Sequence, residues 1–166
     1  MAIEHDFFGL LESGPDGSIF WSESIDLGDQ QVTVDLTAPD QEDVSPDALD
    51  VAAAMVSALE ELDRRAREAM LAQVDDRTSE VTEYILQQQE EFGDDLEAMM
   101  VDVSGDVAVD VIRSLQLMSM TILADELGSG DPFAVLEYAL DPDATDDVLL
   151  VNLASDGDVQ SVTSAE

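Results

Sequence analysis

The sequence predicts an α+β fold: a mainly antiparallel sheet, built from an N-terminal hairpin plus four C-terminal strands, packed against three or four central helices. Three observations lead there. Apolar and polar residues alternate with a period of two between Ile19 and Leu36. From Ser45 to Leu115 the apolar residues recur at three- and four-residue steps instead. After Gln116 short apolar runs return, separated by turn signals. Strands and helices are therefore segregated along 166 residues, a length that predicts a single domain over 1–166.

The elements follow in order. Ser13-Gly14-Pro15-Asp16-Gly17 is a dense turn signal. Ile19 to Ile25 and Val32 to Leu36 alternate on either side of Gly28-Asp29, which predicts a hairpin over Ser18–Leu36. Ser45-Pro46 starts a helix, because serine caps free N–H groups and proline suits the first helical position. Its apolar stripe runs from Leu49 to Met70, predicting one helix to Gln73, about 42 Å long at 1.5 Å per residue. Asp75-Asp76 is expected to cap the next helix, whose stripe is Val81, Tyr84, Ile85, Gln88 and Phe92, with Gly93 as its stop. Asp94–Met100 reads as a short helix, and Ser104 as the cap of a last one carrying Val107, Val111, Ile112 and Leu115. Four strands follow: Gln116–Leu123, Phe133–Leu140, Val148–Leu153 and Val159–Ser164, the last pair joined by the hairpin dipeptide Asp156-Gly157.

Several of these stretches carry a family resemblance. Phe7-Phe8-Gly9 leads into Ile19-Phe20-Trp21 and Val32-Thr33-Val34-Asp35-Leu36. The C-terminal part runs Leu115-Gln116-Leu117-Met118-Ser119-Met120-Thr121-Ile122, then Phe133 to Leu140, Thr145-Asp146-Asp147-Val148-Leu149-Leu150-Val151, Asp156-Gly157 and Glu166. Together they resemble the bacterial uncharacterised family "domain of unknown function two-thousand-four" over nearly the whole chain. The resemblance implies a bacterial α+β domain and carries no catalytic residues with it.

Composition removes whole classes of function. There are 40 Asp+Glu against 5 Lys+Arg, a formal net charge of -35, and all five basic residues are arginine. So negative a chain offers no basic face to a phosphate backbone or an anionic membrane, so neither nucleic acid nor membrane is an expected partner. No cysteine is present, which excludes disulfides, thiolate zinc sites and cysteine nucleophiles. Hydrophobic residues still make up 45% of the chain, enough to build a core under the acidic skin. The acid excess also fits salt adaptation, since salt screens the self-repulsion. No basic-then-apolar leader and no run of about 20 apolar residues occurs, so a cytoplasmic protein is expected.

Five features are weighed as candidate sites. Asp141, Asp143, Thr145 and Asp147 alternate like the first ligands of a calcium loop, which makes Asp141, Asp143 and Asp147 candidate metal ligands for a divalent cation. The pattern then departs from such a loop: Asp146 stands where glycine is needed and Asn152 where a bidentate Glu belongs. Arg64, Arg65 and Arg67 form the one basic cluster, each four residues after an acid (Glu60, Glu61, Asp63). That spacing favours helix-surface ion pairs, and it also makes the cluster the contact point for any acidic partner. Trp21, with Phe20 and Phe7-Phe8, is a candidate docking surface. Glu137 inside a strand is the carboxylate whose setting matters, and His5-Asp6 lacks any nucleophile motif around it.

No catalytic signature emerges. The expected function is a non-enzymatic protein-binding or accessory domain with a protein partner of basic character, or a second copy of the chain, needing no cofactor. Two alternatives stand beside it: a divalent-metal-dependent enzyme with an Asp/Glu site, and an acidic nucleic-acid mimic or toxin-neutralising inhibitor.

Overall fold

A short hairpin, β1 (Ala2–His5) and β2 (Gly9–Glu12), precedes the elements anticipated from the sequence. The structure is a computed structural model that describes residues 2–28, 30–100 and 104–165. The expected strand pair follows as β3 (Ile19–Leu27) and β4 (Gln30–Ala38), antiparallel from Ile19 opposite Ala38 to Leu27 opposite Gln30. Gly28 turns the chain at a φ of 61° that disfavours a side chain, and Asp29 lies outside the described residues.

The first helix begins as its sequence dictates. The Ser45 hydroxyl accepts the Ala48 N–H at 3.1 Å, and Pro46 opens α1 (Pro46–Ser57). The single long helix expected there is interrupted. Ala58 leaves helical geometry at φ -102° and ψ 19°, and α2 (Leu59–Gln73) starts afresh. Neither glycine nor proline marks this break, so the continuous apolar stripe conceals it. Next, α3 (Glu80–Phe92) is capped by Ser79 rather than by Asp75 or Asp76. Asp76 organises the turn before it, accepting the Thr78 N–H at 2.9 Å. After the short α4 (Leu96–Met99), α5 (Val107–Ser114) is capped by Asp106, not Ser104. Ser104 instead donates its N–H and its hydroxyl to buried Asp110, at 2.8 and 2.7 Å.

The C-terminal strands are β5 (Gln116–Leu123), β6 (Ala134–Ala139), β7 (Val148–Leu153) and β8 (Val159–Ala165). With β3 and β4 they form one sheet in the order β3-β4-β5-β6-β7-β8. Every neighbouring pair is antiparallel except β4–β5, which is parallel. The whole helical segment is therefore a crossover between two adjacent strands.

Strand alternation gives the sheet two unlike faces. Val34, Leu36, Met120, Ile122, Leu136 and Val151 are all fully buried on one face, beneath Leu49, Met70, Tyr84 and Ile112 from the helices. Each such side chain stabilises the fold by about 1.5–3 kcal/mol. The other face carries Thr33, Asp35 and Thr37 from β4, Ser119 and Thr121 from β5, Val135 and Glu137 from β6, and Leu150 and Asn152 from β7. None of these is buried.

Candidate interaction site

All three clustered arginines sit on α2, yet their neighbours give them different roles. Arg67 points inward. Its Nε donates to Asp63 Oδ1 at 3.0 Å, and its two terminal nitrogens donate to the carbonyls of Ile112 (3.0 Å) and Leu115 (2.8 Å). Those carbonyls end α5 without helical partners, so Arg67 is its C-terminal cap. The guanidinium also lies 5.2 Å above the Tyr138 ring. Arg64 is exposed and held by Glu61 and Glu68 rather than by Glu60. Arg65 bonds Glu61 at 3.3 Å and approaches Asp158 at 3.9 Å. The Arg64 hydrogen bonds, aided by Arg65, hold the Glu61 carboxyl well down, at about 2.

Arg65 and Glu61 stand at the rim of a cleft. The break at Ala58 splays α1 from α2, and the β7–β8 turn closes the third side. The cleft holds about 270 Å³, with Val51, Ala54, Met55 and Leu62 forming its apolar floor. Glu61, Arg65 and Asp156 make the rim, so the acids outnumber the base there. Gly157 makes this closure feasible. Its φ is 86°, and a Cβ at that position would lie 3.0 Å from Leu62 Cδ2 and 3.4 Å from Arg65 Nη1. The Asp156-Gly157 turn was legible in the sequence; its docking onto α2 was not.

The remaining candidates are dispersed. Asp141 turns back on its own loop and accepts the Asp143 N–H at 3.0 Å. Asp147 reaches α3, where its Oδ2 accepts from Gln88 at 3.3 Å. Among the described residues no group of three or more His, Asp or Glu side chains is placed to hold a metal ion. Trp21 lies under the β1–β2 hairpin, with the Phe8 ring edge-on at 4.8 Å, whereas Phe20 faces outward on the opposite side of β3 and is 66% exposed. His5 is paired not with Asp6 but with Asp50 of α1, 2.9 Å from its Nε2. Glu137 lies on the uncovered sheet face and accepts the Ser119 hydroxyl at 3.2 Å. No helix among the described residues is long and apolar enough to cross a membrane.

Comparison adds no relative. The chain matches no family model, and neither curated proteins nor solved structures give a match.

Proposed function

We propose that the chain is a non-enzymatic protein-binding domain that captures a basic segment carrying an apolar side chain. The observation supporting this reading is the cleft at the α1–α2 break, with its apolar floor and predominantly acidic rim. An apolar side chain from the partner fills the floor, and its neighbouring Lys or Arg residues meet Asp156, since Glu61 is already paired with Arg64 and Arg65. The field of a chain with net charge -35 attracts such a segment from a distance and raises its encounter rate. Asp141, Asp143 and Asp147 give the metal-dependent alternative no comparable support, because Asp141 accepts the Asp143 N–H within its own turn whereas Asp147 is engaged by Gln88 of α3.

Titration calorimetry with a short peptide alternating leucine and lysine tests the reading. Binding is expected at low ionic strength, weakening about tenfold or more once the Debye length falls to ~3 Å near 1 M salt. Ala54→Trp, at an exposed position lining the cleft, is expected to abolish it without disturbing the core. Equal affinity for the Ala54→Trp variant, or equal affinity for oligolysine without leucine, would overturn the cleft as the binding site.

A further inference from the structure

The uncovered face of the six-stranded sheet is chemically unlike the rest of this surface. Its rows are set by strand register. One row runs Ser22, Asp35, Thr121, Val135, Asn152, Ser161, and the next runs Ser24, Thr33, Ser119, Glu137, Leu150, Thr163. A third brings Phe20 beside Thr37 and Leu123. Asp35 and Glu137 are the acids in these rows, and Asp26 adds a third on the same face near the end of β3, paired with Gln31, in a chain where 40 of 166 residues are acidic. The rest are hydroxyl, amide and apolar side chains, with Phe20 the most exposed large hydrophobic residue described.

We infer that this face packs against the same face of a second copy of the chain, forming a symmetric dimer that strengthens with salt. The charge distribution selects that partner. Two chains of net charge -35 repel each other over most orientations, and sheet face to sheet face is an approach that brings few acids together, Asp26, Asp35 and Glu137 from each copy. A basic partner, by contrast, gains little here. Stacked sheets sit about 10 Å apart with side chains interdigitating, which suits Thr, Ser, Val and Leu rows. The area also sets the strength. Six strands spaced by about 4.8 Å over about five residues give a plan area on the order of 400 Å² per copy. That is the small class of interface, below about 1,200 Å² in total, and such contacts are weak. The Phe20 ring, projecting at the edge strand, supplies an aromatic anchor to the partner copy. The contact is independent of the α1–α2 cleft, which lies on the helical side.

Sedimentation equilibrium of the full chain across a salt series decides it. The expected result is monomer at about 0.05 M KCl and a growing dimer fraction toward about 2 M, as screening removes the repulsion. Leu150→Glu places a new acid in the middle of the face and is expected to hold the protein monomeric at every salt concentration. Glu137→Gln removes one acid from each copy and is expected to tighten the dimer by about threefold or more at intermediate salt, by the same screening argument. Near-UV circular dichroism of both variants checks that the fold is intact, and Glu137→Gln reports on the contact if Leu150→Glu is misfolded. A monomer at all salt concentrations overturns the inference. So does a dimer that neither variant shifts, which would place the contact on the β8 edge or elsewhere.

Discussion

The Tyr138 hydroxyl on β6 donates to Asp63 Oδ1 on α2 at 2.7 Å, beneath the guanidinium of Arg67. Asp63 thus serves a buried phenol and an arginine at once, and that arginine caps α5. Three elements far apart in sequence are tied through one carboxylate. Asp63 and Arg67 are only 16% and 19% exposed, so this pair is not an exposed helix-surface contact.

Arg67→Ala is expected to destabilise the protein by about 3 kcal/mol, because it strands Asp63 and two α5 carbonyls. Arg67→Lys recovers only part, since a lysine cannot reach Asp63 and both carbonyls with a planar fork. Urea unfolding of the two variants measures this. Arg64→Ala, on the exposed side of the same helix, is expected to change stability by less than about 1 kcal/mol.

Tyr138 should mark the alkaline limit of stability. Burial, and then the Asp63 charge beside it, push its ionisation well above the ordinary tyrosine value of 10.0. Burial likewise pushes Tyr84 up to about 12. Above pH 10 the unfolded chain loses these protons while the folded chain keeps them, so stability falls as pH rises past the unfolded value. Tyr138→Phe removes one of the two groups and is expected to flatten the decline of the thermal midpoint above pH 10, at a cost of about 1 kcal/mol at pH 7 from the lost hydrogen bond.

Gly157→Ala is expected to cost about 1–2 kcal/mol. The positive φ disfavours a Cβ, and the Leu62 methyl 3.0 Å away must yield. Thermal denaturation gives the cost. For a chain of this size it corresponds to a fall of roughly 2–8 °C in midpoint. The same substitution pushes the β7–β8 turn off α2, so peptide binding at the cleft should weaken with it.

Salt should stabilise the folded monomer as well. At net charge -35 folding concentrates like charge, and screening relieves it. The urea midpoint is expected to rise between about 0.1 and 1 M KCl, as the Debye length shortens from ~10 to ~3 Å. Leu150→Glu separates this effect from dimer formation.

The sequence carried the fold class because period two and period 3.6 occupy different stretches of it. Its errors came where local signals compete. Asp75, Asp76 and Ser79 are all good caps, and hydrogen bonding within the turn decides that Ser79 starts α3 and Asp76 closes the approach. The β1–β2 hairpin went unread because Glu4, His5 and Asp6 break any alternation there, while its burial comes from Phe8 and Leu11 packing on the main core. The cleft was invisible for another reason. Residues 51–65 look like one uninterrupted amphipathic helix, and neither the bend at Ala58 nor the β7–β8 turn that lies beside it leaves a local signal there. The i,i+4 rule found Glu61–Arg65 and Asp63–Arg67, but it could not show that only Arg67 is committed to the core.

The parallel β4–β5 pair has a kinetic consequence. All neighbouring strands in the main sheet are consecutive along the chain, but every pair other than β4–β5 is joined by a connection of modest length and can zip through it. Thr33 to Thr37 must instead find Ser119 to Leu123 across the entire helical segment. Closing so long a loop forfeits chain entropy before any ladder bond returns it. The N-terminal hairpin and the C-terminal meander are therefore expected to form as separate nuclei, and the seam between them sets the pace at which the sheet becomes one.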